Sequence, residues 1–134
     1  MPKILILYHS TTGNTKAMSE AVELGTPTYF ASASAEIKQF IDESIKYYKK
    51  LEGKVGAAFS SSGDLGGGNE TAVLNILHAF LVHGMIVPGY ISGGHYGPVC
   101  VGDPNEKRKE ACEKMGKTVA QLVKTLSTAA QTNL

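Results

Sequence analysis

Short, continuously apolar runs alternate along the chain with longer stretches whose apolar residues recur every three or four positions. A run of the first kind is typical of a strand buried on both faces of a parallel sheet, and a stretch of the second kind is typical of an amphipathic helix. The pattern predicts strands over 4–8 and 54–60, and one interrupted strand made of the runs 85–87 and 98–101. This alternation predicts an open parallel α/β sheet, whose ligands bind at the carboxyl ends of the strands.

Capping residues and glycines delimit four predicted helices. Ser34 is the N-cap of a helix that ends near residue 48, and Asp103-Pro104 begins the last helix, before a frayed tail over 128–134. Another helix covers 14–22 and is stopped by Gly25, Thr26 and Pro27. The fourth covers 70–82 and ends at Gly84, and its inward-facing residues are Val73, Ile76, Leu77, Phe80 and Leu81.

The composition fits a single globular domain over 1–134, with 43% hydrophobic and 19% charged residues. A net charge of +1 gives no basis for a nucleic-acid partner, and no apolar run is long enough to span a membrane. The chain begins directly with a strand and shows no signal sequence. Cys100 and Cys112 have neither metal-ligand nor disulfide-framework spacing. We therefore expect a cytoplasmic protein with no metal, in which both thiols are reduced and packed in the core.

The segment after the first strand has the chemistry of a phosphate-binding turn. Small polar side chains surround one glycine in Ser10, Thr11, Thr12, Gly13, Asn14 and Thr15. Their hydroxyls, together with N–H groups at the start of a helix, suit a phosphomonoester. The turn lacks the Gly-Lys-Ser/Thr end with which nucleotide-hydrolysing P-loops reach terminal phosphates and magnesium. An ordinary Ser/Thr-rich βα loop with a helix cap accounts for the turn equally well.

Two further unusual loops follow strands or possible strands. The segment 60–70 contains four glycines and three serines, and the segment 26–30 carries two adjacent aromatic residues. Glycines let the backbone present N–H donors in conformations that other residues avoid. Because the carboxyl ends of parallel strands share one edge of a sheet, we expect all three loops to form one site.

Six segments, in this order, resemble those of the flavodoxin-like FMN proteins: 10–15, 26–30, 59–63, 66–70, 83–85 and 95–97. The chain is most similar to the branch of NAD(P)H:quinone oxidoreductases typified by the tryptophan-repressor-binding protein. This resemblance covers nearly the whole length and implies a three-layer flavodoxin-like sheet with FMN as the cofactor.

The resemblance also implies which residues contact the cofactor. Residues 10–15 would hold the FMN phosphate, while two loops would border the isoalloxazine ring on either side. His83 matches a histidine that reaches the flavin site, often from a neighbouring subunit. The expected cofactor contacts are therefore Ser10 to Thr15 with Pro27, Thr28, Tyr29, Phe30, Ser61, Ser62, Gly63, Asp64, Gly66 and His83, and the substrate-side candidates are His95 and Tyr96.

The chain departs from the family pattern between its first helix and the Thr-Pro-Thr loop. Roughly 35 to 50 residues are missing there, which corresponds to the second strand, the second helix and part of the first helix or third strand. Three explanations remain open: residues 22–25 still form the central third strand, a second chain supplies it by domain swapping, or the sequence lacks a segment of the natural protein.

The leading functional hypothesis is an FMN-dependent oxidoreductase that passes electrons from NAD(P)H to quinones or similar acceptors, as a homodimer or homotetramer. No side-chain pair suggests general acid/base catalysis, so the catalytic residues are unknown. One alternative is a flavodoxin-type electron carrier, although carriers usually have a markedly acidic surface and this chain has a net charge of +1. Another alternative is a flavodoxin-like interaction domain without flavin.

Overall fold

A computed structural model describes residues 7–8, 24–92 and 94–132. The strands in this part are β1 (Leu7–Tyr8), β2 (Leu24–Tyr29), β3 (Ser32–Ala33), β4 (Ala58–Ser62) and β5 (Val99–Val101). The helices are α1 (Ala35–Glu43), which continues as a 3-10 helix (Ser44–Tyr47), α2 (Asn69–Val82) and α3 (Glu106–Thr132). The helix predicted over 14–22 lies outside the described residues.

Four strands form a parallel sheet in the order β1-β2-β4-β5, and the short β3 pairs antiparallel with β2. The strand β2 lies between β1 and β4, so the central position that the shortened sequence put in doubt is filled within one chain. Between β1 and β2 lie residues 9–23, whose number just meets the dozen or more that a parallel crossover needs. The predicted open parallel α/β sheet is confirmed.

Successive residues of β4 face opposite layers of helices, as the two-residue period of a strand requires. Phe59 packs in one cluster with Met115 and Val119 of α3. Ala58 packs in the other cluster with Ile37 of α1 and Ile76 of α2. The sheet therefore separates two apolar cores, which gives a three-layer domain.

Several predicted element bounds are wrong. Gly25, Thr26 and Pro27 were expected to stop a helix, but they belong to β2. Only glycine fits at position 25, because a Cβ atom there would overlap the ring of Phe59. The serines at 61 and 62 also lie inside a strand, not in the loop that follows it.

The predicted interrupted strand is confirmed only in its second run, which forms β5 and pairs with β4. The first run, 85–87, contributes a single isolated parallel bridge between Ile86 and Val55. A Cβ atom on Gly97 would overlap the carbonyl oxygen of Ala58, so only glycine fits where the loop rejoins the sheet. Both apolar runs therefore lie beside the chain segment 55–62, on the side of β4 away from β2.

The helix ends agree with prediction at Ser34 and differ from it in the last helix. Ser34 caps α1 as expected, since its Oγ accepts from the N–H of Ile37 at 3.4 Å. The last helix begins two residues after Pro104 and is capped by Asn105, whose Oδ1 accepts from the N–H of Arg108 at 3.1 Å. It then continues to residue 132 instead of fraying at 128, and hydroxyls such as that of Ser127 bond the carbonyl four residues back. Leu81, expected to face inward, is exposed.

Both cysteines are buried and outside any disulfide, as predicted, and they pack in the cluster that contains Phe59. Burial raises the pKa of Cys100 to about 11 and that of Cys112 to about 12. The thiols are therefore protonated at neutral pH and poorly reactive, because the thiolate is the nucleophile.

Substitution of Gly25 by alanine is expected to lower the free energy of unfolding by about 1–3 kcal/mol, since the added methyl group must displace the Phe59 ring. The measurement is the urea midpoint. Gly89→Ala is the matched control, because a Cβ atom there meets open space. Equal midpoints for the two variants would contradict the packing described here.

The buried thiols also predict a pH dependence of stability. A group whose pKa is higher in the folded state than in the unfolded state stabilises the fold until the unfolded chain begins to lose its proton. The urea midpoint should therefore decline as the pH rises from about 9 toward the folded pKa of about 11 for Cys100. The double variant C100A/C112A, compared with the wild type, should show a shallower decline over this range. Parallel curves for the two proteins would contradict the assignment.

Candidate functional site

The loops after β2, β4 and β5 meet at the carboxyl edge of the sheet, where a parallel α/β protein binds its ligands. The backbone pairs Pro27 with Ser61 at this edge, so the two segments expected to border a flavin are neighbours. The candidate phosphate residues after β1, which are Ser10, Thr11, Thr12, Gly13, Asn14 and Thr15, lie outside the described residues. Their role stays a prediction.

A tight hairpin turn with unfavourable backbone geometry joins β2 to β3. The strand pair Tyr29–Ser32 encloses Phe30 and Ala31, whose φ angles are +48° and +59°. Left-handed conformations are rare for residues other than glycine, and two in succession are characteristic of turns that favour Asn-Gly. The side chain of Phe30 is nevertheless fully exposed, with a relative exposure of 105%. A strained turn that presents a bare aromatic ring is the kind of feature that marks a functional site.

Contacts from α2 hold this turn in place. The hydroxyl of Thr71 lies 2.7 Å from the carbonyl oxygens of both Ala31 and Gly68, and the N–H of Ala33 donates to Oδ1 of Asn75 at 3.0 Å. A Cβ atom on Gly68 would overlap Ala31, so the glycine permits the close approach of the turn to the start of α2. The loops after β2 and β4 are therefore fixed against each other.

The loop after β4 is held by two serines at the end of the strand and by Asp64 of the loop itself. Oγ of Ser60 donates to the carbonyl of Asn69 at 2.7 Å, and Oγ of Ser62 donates to the carbonyl of Asp64 at 3.0 Å. The carboxylate of Asp64 accepts from the N–H of Leu65 at 2.7 Å. Ser62 and Asp64 thus shape the loop. A Cβ atom built on Gly63 or Gly66 would meet only open space, so the backbone at these two glycines is not covered by neighbouring atoms.

One buried hydroxyl at this edge lacks a partner. Oγ1 of Thr28, the second-to-last residue of β2, is buried and makes no hydrogen bond within the described part of the chain. A buried polar atom left unpaired costs about 1–3 kcal/mol, so such atoms are rare unless a ligand completes them. Thr28 is among the residues expected to border the flavin ring, and the chemistry of its hydroxyl fits a hydrogen bond to a polar atom of that ring.

His83 lies at the opposite end of α2 from the loop after β4. The helix has 14 residues and a length of about 21 Å, so the structure does not bring His83 together with the other candidates of the same chain. Its Nε2 is 2.7 Å from Oγ of Ser44, and the single hydroxyl proton of Ser44 is donated to the carbonyl of Ile41 at 2.6 Å. The buried Nδ1 of His83 has no hydrogen-bond partner within the described residues.

The substrate-side candidates His95 and Tyr96 are exposed residues of the loop before β5. Neither lines the cavity between the loop 65–71 and the segment 94–108, although Gly94 beside them does. The N–H of Tyr90 donates to the carbonyl of His95 at 3.0 Å, which ties this loop to the core. Their contribution to the site stays a prediction.

The cavity bordered by Gly94 has a volume of about 670 Å³ and lies between the loop 65–71 and the segment 94–108. Sequence reasoning missed the polar residues on its second wall, which are Asp103, Asn105 and Arg108. Asp103 was interpreted only as a helix cap, and Arg108 stands in a run of charged residues that is typical of a solvated helix face.

Two other kinds of site receive no support from the structure. Residues 7–8, 24–92 and 94–132 contain no group of three or more His, Cys, Asp or Glu side chains placed to hold a metal ion. Over the same ranges, no helix has both the length and the apolar character required to traverse a bilayer.

Comparisons with known proteins agree with the fold described above. The family model of NADPH-dependent FMN reductases matches residues 15–97. A flavodoxin from Aquifex aeolicus is 33% identical over 162 positions, which cover 92% of this chain and 88% of the relative. That alignment is longer than the 134 residues of the chain, so the relative contains residues that the chain lacks.

An NAD(P)H dehydrogenase (quinone) from Archaeoglobus fulgidus is 36% identical over 116 residues, covering 80% of this chain. The chain spans only 61% of the length of that relative.

Among solved structures, a WrbA-like flavodoxin from Agrobacterium tumefaciens superposes with a TM-score of 0.81 at 24% identity, over 91% of this chain and 97% of that one. A flavodoxin from the domain Archaea superposes with a TM-score of 0.71 at 25% identity, over 90% of this chain and 98% of that one. The sheet order, the helices on both faces and the matched residues lead to one conclusion: the chain has a flavodoxin-like fold and belongs to the NADPH-dependent FMN reductase family.

Proposed function

We propose that this protein is an FMN-binding oxidoreductase that passes electrons from NAD(P)H to quinones or similar acceptors. The observation that carries the proposal is the unpaired, buried hydroxyl of Thr28 beside the strained turn that exposes Phe30. The family match and the similarity to an NAD(P)H dehydrogenase (quinone) support the same chemistry.

Each part of the carboxyl edge has a task in this proposal. Residues 10–15 bind the FMN phosphate, and the hydroxyl of Thr28 donates to a polar atom of the ring. Tyr29 and Phe30 cover one side of the flat ring with aromatic surface, and the loop 61–66 presents N–H groups on the other. Bound FMN would supply the two-electron redox chemistry that links hydride donation by the nicotinamide to reduction of the acceptor. The overall reaction converts NAD(P)H, one proton and a quinone into NAD(P)⁺ and a hydroquinone.

We also propose that the protein is a cytoplasmic homo-oligomer. The apolar side chains of Ile45, Leu81 and Val82 are exposed beside the bonded pair Ser44–His83, at the end of α2 remote from the proposed flavin site. A second copy that covers this surface would bring His83 near another chain. Buried cysteines that form no disulfide suit a reducing compartment.

A flavodoxin-type electron carrier is the second candidate, because two relatives at 33% and 40% identity are named flavodoxins. The two functions differ in their partner, which is a nicotinamide nucleotide for the enzyme and a redox protein for the carrier. The net charge of +1 favours the enzyme, since carriers attract cationic partners with acidic surfaces.

The first experiment is a titration of the purified protein with FMN, followed by flavin fluorescence, with light scattering to report the oligomer. We expect saturable binding, and the loaded protein should oxidise NAD(P)H when benzoquinone is added. An FMN-loaded protein that leaves NAD(P)H unoxidised but exchanges single electrons with a redox protein would support the carrier. No binding at high micromolar FMN would overturn both functions and leave a flavodoxin-like scaffold.

Replacement of Thr28 by valine tests the role of its hydroxyl. The loss of one hydrogen bond should weaken FMN binding by about 2- to 10-fold, while the ligand-free protein should be as stable as the wild type or more stable, because an unpaired buried hydroxyl is removed. Fluorescence titration and urea midpoints measure the two effects. Thr28→Ser should bind FMN better than Thr28→Val, and Thr125→Val, on an exposed face of α3, is the control. Unchanged FMN affinity in T28V would remove Thr28 from the site.

A further inference from the structure

The cavity of about 670 Å³ beside the proposed flavin loop has the size of a small-molecule site, since such sites usually measure 300–1,000 Å³. Leu65 and Gly66 form one of its walls and belong to the loop expected to border the flavin ring. The cavity therefore adjoins the proposed redox site but extends away from β2, toward the start of α3.

Arg108 is the only arginine of the chain, and its side chain lines this cavity. Within the described residues, no carboxylate oxygen lies within 4.0 Å of its guanidinium. The neighbouring Lys109, in contrast, forms an ion pair with Glu106 at 3.2 Å. Arg108 is only partly exposed, and its charge acts on the buried thiol of Cys100. Arg108 thus lines the cavity as a cation without a fixed counterion among the described residues, and a guanidinium group can bind phosphate through two hydrogen bonds at once.

The other polar groups of the cavity narrow the class of ligand. Glu70 and Asp103 line it as well, so the three charged side chains sum to one negative charge. This balance disfavours a small inorganic anion. A ligand with hydroxyls for the carboxylates and a phosphate for the guanidinium fits better, and ribose joined to phosphate has both.

The helix α2 contributes backbone donors to the same cavity. Residues 68–71 line it, and the N-cap Gly68 supplies no side-chain acceptor for the first N–H groups of the helix. Those N–H groups are available to a ligand, and they favour negative charge. Together with Arg108 they provide donors on two sides of the cavity.

We propose that this cavity binds the ADP-ribose portion of the nicotinamide nucleotide, with Arg108 as the contact to its phosphates and with Glu70 and Asp103 as acceptors for ribose hydroxyls. This inference rests on the proposed function and adds the substrate subsite to it. Arg108 is a binding residue and takes no part in hydride transfer.

The test uses the full chain loaded with FMN and compares Arg108→Gln with the wild type. In R108Q the kcat/KM for NADPH should fall about tenfold or more, chiefly through a higher KM, because a charge-assisted contact is lost. With N-benzyl-1,4-dihydronicotinamide, a hydride donor that has no phosphate or ribose, the two proteins should have equal rates. Lys109→Gln is the matched control, because Lys109 pairs with Glu106 and does not line the cavity.

A second readout needs no turnover. ADP-ribose binding, measured by calorimetry, should weaken about tenfold in R108Q and less in R108K, with urea midpoints confirming that both variants fold. Binding of ADP-ribose without any NADPH oxidation would show that the proposed function has failed while the subsite stands. Three results would overturn the subsite: equal ADP-ribose affinity in wild type and R108Q, no ADP-ribose binding to the wild type at millimolar concentration, or an equal loss of FMN affinity in R108Q, which would place the cavity in the flavin site.

Discussion

The domain depends on the contact between Gly25 and the ring of Phe59. Adjacent strands pair these two residues, and the ring occupies the space that any side chain at position 25 would require. This contact lets β2 lie between β1 and β4, and it also places Phe59 in the core under α3. Because position 25 is a glycine, β2 can pair with β4 while the Phe59 ring packs against α3. The pairing of β2 also fixes where the hairpin turn after it lies.

The alternation of strands and helices, the cap at Ser34 and the burial of both cysteines could be predicted from the sequence, because each follows from a local pattern or from residue type. The strand β2 could not. Glycine and proline are poor strand residues, so Gly25 and Pro27 indicated a break, and only the tertiary contact with Phe59 explains a strand there.

The candidate site was predicted to a similar extent. Two glycine- or aromatic-rich loops do meet at the carboxyl edge, as the parallel sheet required. No local sequence pattern indicates the strained backbone at Phe30 and Ala31 or the unpaired hydroxyl of Thr28. Each of these features depends on the residues packed around it in the folded chain. Arg108 was missed because a charged run on a helix usually indicates solvent, and only the folded arrangement shows that one member of the run lines a cavity.

The serines of β4 have a consequence for how a ligand is recognised. The hydroxyl of Ser62 donates to the carbonyl of Asp64 in the following loop, and that of Ser60 donates to the carbonyl of Asn69 at the start of α2. Both ends of the loop are therefore already held by the chain itself. A binding surface ordered in advance loses little conformational entropy when it is filled. Preorganisation of this kind lets a flat, rigid molecule be selected by shape at first encounter, without a slow rearrangement of the backbone.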